Sequence, residues 1–244
     1  MIRSVGVVGY GAFGRFVRVS IERFAPSIKV RTFSSKEASD GENFFSLKEV
    51  AKCDAVILCV PIHAYEETLE KLVPLARPDT IVVDVATVKT YTLDLLKKYA
   101  SGRPYISTHP MFGPESYEKR GGDVSGFRIV ICEHTLSNPL FSKFTDLLRG
   151  MGFDVVEMSA DSHDKHLAET LFLTHFIGQV ISRADFARTE IDTVSFGYLM
   201  NAVESVKHDT ALFKDVYRFN PYCKEVLDRL NIAEEEVRAL LETK

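Results

Sequence analysis

The chain shows no excess of positive charge. Across 244 residues, 30 Lys and Arg stand against 34 Asp and Glu, a net charge of −4. Without a basic face, nothing favours nucleic acid or an anionic membrane surface as a partner. Long apolar runs are missing too: the longest candidate, Leu171 to Ile181, is interrupted by Thr174, His175 and Gln179, short of the roughly 18 residues of a membrane span. Cysteine is scarce. Cys53, Cys59, Cys132 and Cys223 have no Cys-x-x-Cys spacing, and three lie in or beside apolar runs, as buried reduced thiols do. The opening Ile2–Val8 reads as a strand with neither basic region nor cleavage site. The expectation is a cytoplasmic protein. Repeats and low-complexity segments are absent, and 45% hydrophobic with 26% charged residues is a folding composition.

What is present divides in two. Strands are expected at Ser4–Val8, Lys29–Phe33, Ala55–Val60, Thr80–Val85, Tyr105–Thr108, Phe127–Cys132 and Asp154–Met158. Between them, Phe13–Phe24, Tyr65–Leu75, Lys89–Tyr99 and Leu140–Met151 carry apolar residues at helical spacing. This alternation predicts a doubly wound α/β domain with a parallel sheet over residues 1–158. Residues 159–244 read as all-helical: Leu167, Leu171, His175 and Gly178 share one face, as do Phe196, Leu199, Met200 and Val203. Asn231 with Glu234 has the form of a capped helix start.

Directly after the first strand stands Gly9-Tyr10-Gly11-Ala12-Phe13-Gly14, a complete G-x-G-x-x-G. Strand before and helix after are the context in which this motif binds a dinucleotide pyrophosphate. The second strand's end selects the cofactor. An NAD site usually carries an acid about 20 residues on, for the ribose 2′-hydroxyl. Here the place reads Ser34-Ser35-Lys36, which suits a 2′-phosphate and favours NADP over NAD.

Three further segments fall at strand ends, where doubly wound sheets bind ligands. They are Cys59–His63, with Val60 and Pro61 as candidate cofactor contacts; Asp84–Lys89; and Thr108–Glu115. A histidine placed as His109 is can act as a general base, since imidazole titrates near neutrality.

With these motifs the sequence resembles the prephenate/arogenate dehydrogenase family of tyrosine biosynthesis. The resemblance runs from Gly6 through the tail and rests on Gly9–Gly14, Asp84–Lys89, His109–Glu115, His163-Asp164, Leu173–His175 and Leu212–Pro221. The His-Pro-Met-Phe-Gly-Pro-Glu-Ser form is most similar to plant-like arogenate dehydrogenases. It implies oxidative decarboxylation of a cyclohexadienol, with hydride transfer to the nicotinamide and loss of CO₂ as the ring becomes aromatic. It further implies that His109 takes the hydroxyl proton and that Thr87, where the family usually has Ser, orients the same hydroxyl. His175 matches a family histidine near the substrate, and Asp209 stands where plant-like enzymes have an acid; Met111 and Gly113 complete the candidate substrate contacts. Lys89 is open between cofactor binding and loop support.

The chain also departs from the pattern. The Arg with which many bacterial members clamp the substrate side-chain carboxylate is missing around Tyr198–Asn201, leaving Lys207, His208, Arg218 and a residue of a partner subunit as candidates, and Tyr117 replaces a common glycine. His163 and His166, three apart with Asp161 and Asp164 nearby, lack a third ligand at metal-site spacing; helix capping and support of the active site fit them better, and no metal is expected. Two other readings compete. One is a different NADP-dependent small-acid or imine dehydrogenase, with Lys165 or Lys207 available. The other is a non-catalytic NADP sensor, against which a retained base weighs. The apolar helical segment predicts a homodimer through residues after Ser159.

Overall fold

A computed structural model describes residues 2–243. The chain divides into two compact units, Met1–Ala160 and Asp161–Lys244.

In the first, β1 (Ser4–Val8), β2 (Lys29–Phe33), β3 (Ala55–Leu58), β4 (Ile81–Asp84), β5 (Tyr105–Pro110), β6 (Arg128–His134) and β7 (Asp154–Glu157) form one sheet ordered β2-β1-β3-β4-β5-β6-β7. Its strands are short runs of Val and Ile because both faces are covered: Val7, Val8, Val56, Leu58 and Val82 have almost no exposed surface. On one face Val5, Ala55, Ile81, Ile106, Ile131 and Leu136 pack together. The helices are α1 (Ala12–Phe24), α2 (Leu47–Val50), α3 (Tyr65–Leu72), α4 (Thr90–Tyr99), α5 (Pro114–Lys119) and α6 (Asn138–Gly150). Ser46 and Glu49 close a reciprocal capping box on α2. The order reverses between β1 and β3, which puts the topological switch point at their carboxyl ends.

The sheet is not wholly parallel: β5 and β6 run antiparallel, the other neighbours parallel. The connection between them contains only the six-residue α5, too little for the helical crossover that a parallel return requires. Ser107 pairs with Glu133 and Thr108 with Ile131, so Cys132 is an extra residue on β6, a bulge beside His109. β3 also ends earlier than expected, at Leu58, because Pro61 cannot continue the ladder and a 3₁₀ turn, Ile62–Ala64, follows.

The second unit contains α7 (Ala160–Leu167, whose first residue closes the other unit), α8 (Leu173–Arg183), α9 (Val194–Val206), α10 (Thr210–Phe219) and α11 (Cys223–Glu242). A π turn, Ala168–Phe172, joins α7 to α8. It rotates the buried stripe, so Leu167 and Phe172, five apart, are buried, whereas Leu171 is only half-buried. A uniform α period therefore puts the wrong residue on that face. Asn231 starts no helix. It lies inside α11, because Lys224, Glu225, Leu227, Arg229 and Leu230 are good helix formers and the helix propagates through it. No helix among the described residues is long and apolar enough to cross a membrane.

Candidate active site

The glycine-rich turn is built against the end of β3. Gly9 has φ +103°, a conformation that suits glycine, and donates its N–H to Phe33 O at 2.9 Å. Gly14 lets α1 rest on Gly9, whereas Gly11 faces open space. No side chain caps α1 and its first turn holds no acid, so its free N–H groups and positive dipole end fit a pyrophosphate. Beside this turn the Tyr10 ring meets Phe44 edge-on, and Arg15 donates to Tyr10 O at 3.1 Å. At the end of β2, Ser34 Oγ accepts from the Lys36 N–H at 3.2 Å, while Ser35 and Lys36 are exposed. Val60 touches the same corner, 3.1 Å from where a Cβ on Gly9 would stand. These residues fit a dinucleotide.

Two strands further along, Asp84 ends β4 with no exposed surface. Its Oδ1 accepts from Tyr65 Oη (2.7 Å) and Ala86 N (2.8 Å). Its Oδ2 lies 2.6 Å from Lys89 Nζ and 2.9 Å from both Thr92 Oγ1 and Ser107 Oγ. Burial and the adjacent carboxylate hold the Tyr65 phenol well above its ordinary range. Lys89 Nζ also donates to Thr108 O at 2.6 Å. Lys89 is fully buried, and these two bonds brace the strand ends. Half-buried Thr87 lies three residues beyond β4, and His109, 5% exposed, lies on β5 paired with Val130.

Beyond His109, Met111 is 40% exposed and Gly113 caps α5. Phe112 stacks on Phe127 (4.6 Å) and meets Phe16 of α1 edge-on (6.0 Å). Tyr117 packs on Phe16 at 5.1 Å, and its hydroxyl accepts from Arg23 at 2.7 Å, tying α5 to the cofactor helix. None of these links carried a sequence signal beyond the unexpected Tyr itself.

In the helical unit, His163 Nδ1 lies 2.8 Å from Asp164 Oδ1, both buried, and Asn220 donates to Asp164 O at 2.8 Å. This pins α7 to the residue after α10. No group of three or more His, Cys, Asp or Glu among the described residues could hold a metal ion. His175 is 6% exposed, with its buried Nδ1 unpartnered. Burial pushes its pKa down, and the charge of Asp209 pulls it partly back. Asp209 is exposed at the start of α10 and makes no side-chain cap bond.

Comparison with known proteins gives this arrangement its context. Residues 33–132 match the family model "Prephenate dehydrogenase, nucleotide-binding domain", and residues 180–244 match "TYRAAT1-like, C-terminal domain". Arogenate dehydrogenase 2, chloroplastic, of Arabidopsis thaliana is 31% identical over 96% of this chain and 69% of its own length. Arogenate dehydrogenase 1, chloroplastic, of the same plant is 30% identical over 98% of this chain, which spans only 39% of that relative. Among solved structures, prephenate dehydrogenase from Aquifex aeolicus, crystallised with hydroxyphenyl propionate and NAD⁺, superposes with a TM-score of 0.76. It is 18% identical, covering 99% of this chain and 91% of its own. Arogenate dehydrogenase of Synechocystis gives 0.66 at 20% identity, over 98% and 91%. At such identities the likeness is one of fold.

Proposed function

Because the chain belongs to the prephenate/arogenate dehydrogenase family, we propose that it catalyses NADP-dependent oxidative decarboxylation of arogenate, with prephenate the poorer substrate, in tyrosine biosynthesis. The observation that carries this reading is the placing of His109 and Thr87 at the ends of adjacent strands in a sheet whose switch point carries the glycine-rich turn.

The turn from Gly9 to Gly14, with Tyr10, Ala12 and Phe13, would hold the dinucleotide, alongside Val60 and Pro61. When bound, the nicotinamide supplies the hydride acceptor. His109 accepts the proton of the ring hydroxyl, and Thr87 directs its own hydroxyl to the same oxygen, its branched Cβ restricting χ1. Proton removal from that oxygen favours loss of hydride from its carbon, and departure of CO₂ completes the aromatic ring. Met111, Gly113, His175 and Asp209 are the substrate contacts in this reading. NADP is supported by the absence of an acid at Ser34–Lys36 and by the cations Lys36 and Arg15 near the turn.

A homodimer through the helical unit belongs to the same proposal. Phe186 and Ile191, between α8 and α9, and Val194 and Tyr198 of α9 are each more than 60% exposed, apolar side chains of the kind an interface covers. Light scattering at micromolar concentration should give twice the chain mass, and a monomer would remove this part. The activity is tested by absorbance at 340 nm with NADP or NAD and either substrate. Growth of the signal with NADP and arogenate is expected; no turnover of either substrate with either cofactor would overturn the reading.

A further inference from the structure

We propose that Asp84 and Lys89 form a buried positioning pair that fixes the relative placement of Thr87 and His109, an inference that rests on the functional reading above. Both side chains have no exposed surface, and they meet at 2.6 Å. Burying two opposite charges is a costly way to join strands, and apolar residues of similar volume often hold a fold as well or better. The bonds made here end beside the two groups assigned to the chemistry.

Pairing between β4 and β5 ends at Asp84 and Ser107. Past that register, Thr108 and His109 continue along β5 on the ladder with β6, paired with Ile131 and Val130. On the β4 side, the pair and its neighbours take over where the ladder ends. Ser107 Oγ lies 2.9 Å from Asp84 Oδ2, Thr108 Oγ1 donates to Asp84 O at 2.7 Å, and Lys89 Nζ donates to Thr108 O at 2.6 Å. On the other side, the Ala86 N–H bonded to Asp84 Oδ1 curls the chain directly before Thr87. One carboxylate therefore sets the turn carrying the hydroxyl donor and braces the residues leading to the base. The ammonium closes the same bracket one residue from His109. A displacement of about 1 Å between such groups costs on the order of 10²-fold in rate.

Removing one member alone strands a buried charge, so the informative variant is the neutral double, Asp84→Asn with Lys89→Met. It should remain folded above the assay temperature and bind NADPH, followed by its fluorescence, within about twofold of the parent. It should lose about 10²-fold in kcat while KM changes by less than about threefold, the pattern of lost transition-state alignment. Thr92→Val, which touches Asp84 without reaching β5, should leave kcat within about threefold. If the double variant does not fold, Ser107→Ala removes one strap and keeps the charge pair, with a several-fold fall in kcat and an unchanged cofactor affinity expected. A folded double variant, or Ser107→Ala, with parental kcat overturns the proposal. A readout independent of turnover is the ¹⁵N-edited NMR signal of the His109 ring, which should move in these variants while that of His134 stays. If the parent turns over neither substrate, the functional reading fails by itself; an unmoved His109 signal then rejects the pair, and a moved one upholds it.

Discussion

A Cβ placed on Gly14 would stand 2.1 Å from the carbonyl oxygen of Gly9, a backbone atom that no rotamer change can remove. Gly11, three residues before Gly14, would meet nothing within 4 Å. The motif therefore contains glycines of two kinds, one required by close backbone contact and one facing open space.

Gly14→Ala should accordingly lower stability by about 1–3 kcal/mol through overpacking. Gly11→Ala should cost at most about 1 kcal/mol, the scale of a poorer helix cap, yet weaken NADPH binding about tenfold or more by obstructing the pyrophosphate. Thermal melts and fluorescence titration of both variants check the contrast. Equal effects on melting and binding would contradict it.

Replacing the proposed base gives a second expectation. His109→Asn should leave cofactor affinity nearly intact and reduce kcat by about 10²–10⁴-fold, the usual cost of losing a general base. Near-normal turnover would assign the proton to another group.

Cofactor choice is tested at Ser34, whose hydroxyl accepts from the Lys36 N–H and shapes the end of β2. Ser34→Asp should weaken NADP and favour NAD, because a carboxylate repels the 2′-phosphate and bonds the ribose hydroxyl. The ratio of kcat/KM for the two cofactors reports it, and a parent enzyme that already prefers NAD would refute the assignment.

Several of these residues were visible before any fold. The glycine motif and the strand–helix alternation announce themselves through local patterns with a definite period or spacing, whereas His109 stands out only through its place at a strand end and the resemblance it helps to carry. What was not legible depends on contacts distant in sequence. Nothing local to Tyr65 indicates that its hydroxyl meets Asp84, nineteen residues away. The antiparallel β6 follows from how little helix the β5–β6 connection forms, and the bulge at Cys132 from a register that only pairing reveals. Asn231 shows the converse failure: a capping pattern is meaningful only where the preceding chain is not already helical. Likewise the π turn buries Phe172 in place of Leu171 while His175 and Gly178 stay on the buried face as expected, and no propensity scale encodes it.

His175 makes stability depend on pH in a predictable sense. Burial lowers its pKa in the folded chain, so on acidification the unfolded chain takes up the proton first. The stability this neutral ring contributes is fully present above about pH 6.5, the ordinary value, and is lost as pH falls through that value toward the lowered one. His175→Gln should flatten this part of the melting-temperature profile between about pH 7.5 and 5.5. Asp209→Asn should steepen it, because the charge that partly offsets burial is gone. Superimposable profiles for parent and His175→Gln would refute the account.

The same Asp209 carries the prediction about substrate. Arogenate bears an ammonium where prephenate has a keto oxygen, so discrimination needs an anion or acceptor close to that position. Asp209 is exposed, spends no hydrogen bond on capping α10, and is close enough to His175 for its charge to act on the ring. Its carboxylate is therefore available to an incoming cation. No Arg occurs in the sequence at Tyr198–Asn201, but Arg188 reaches Asn201 at 2.7 Å with its charge paired to Glu204 at 2.9 Å. A charge-assisted contact that becomes desolvated on binding contributes about 1.5–3 kcal/mol, tenfold to a hundredfold in kcat/KM. Exposure of Asp209 in the free chain puts the expectation at the lower end, about tenfold, since solvent weakens an open ion pair. Asp209→Asn keeps the shape and an acceptor oxygen while removing the charge, so kcat/KM for arogenate should fall about tenfold and that for prephenate should hold or rise. Measured side by side, an unchanged ratio, or a parent that already prefers prephenate, would take Asp209 out of substrate selection and return it to the role of a solvated residue at the head of α10.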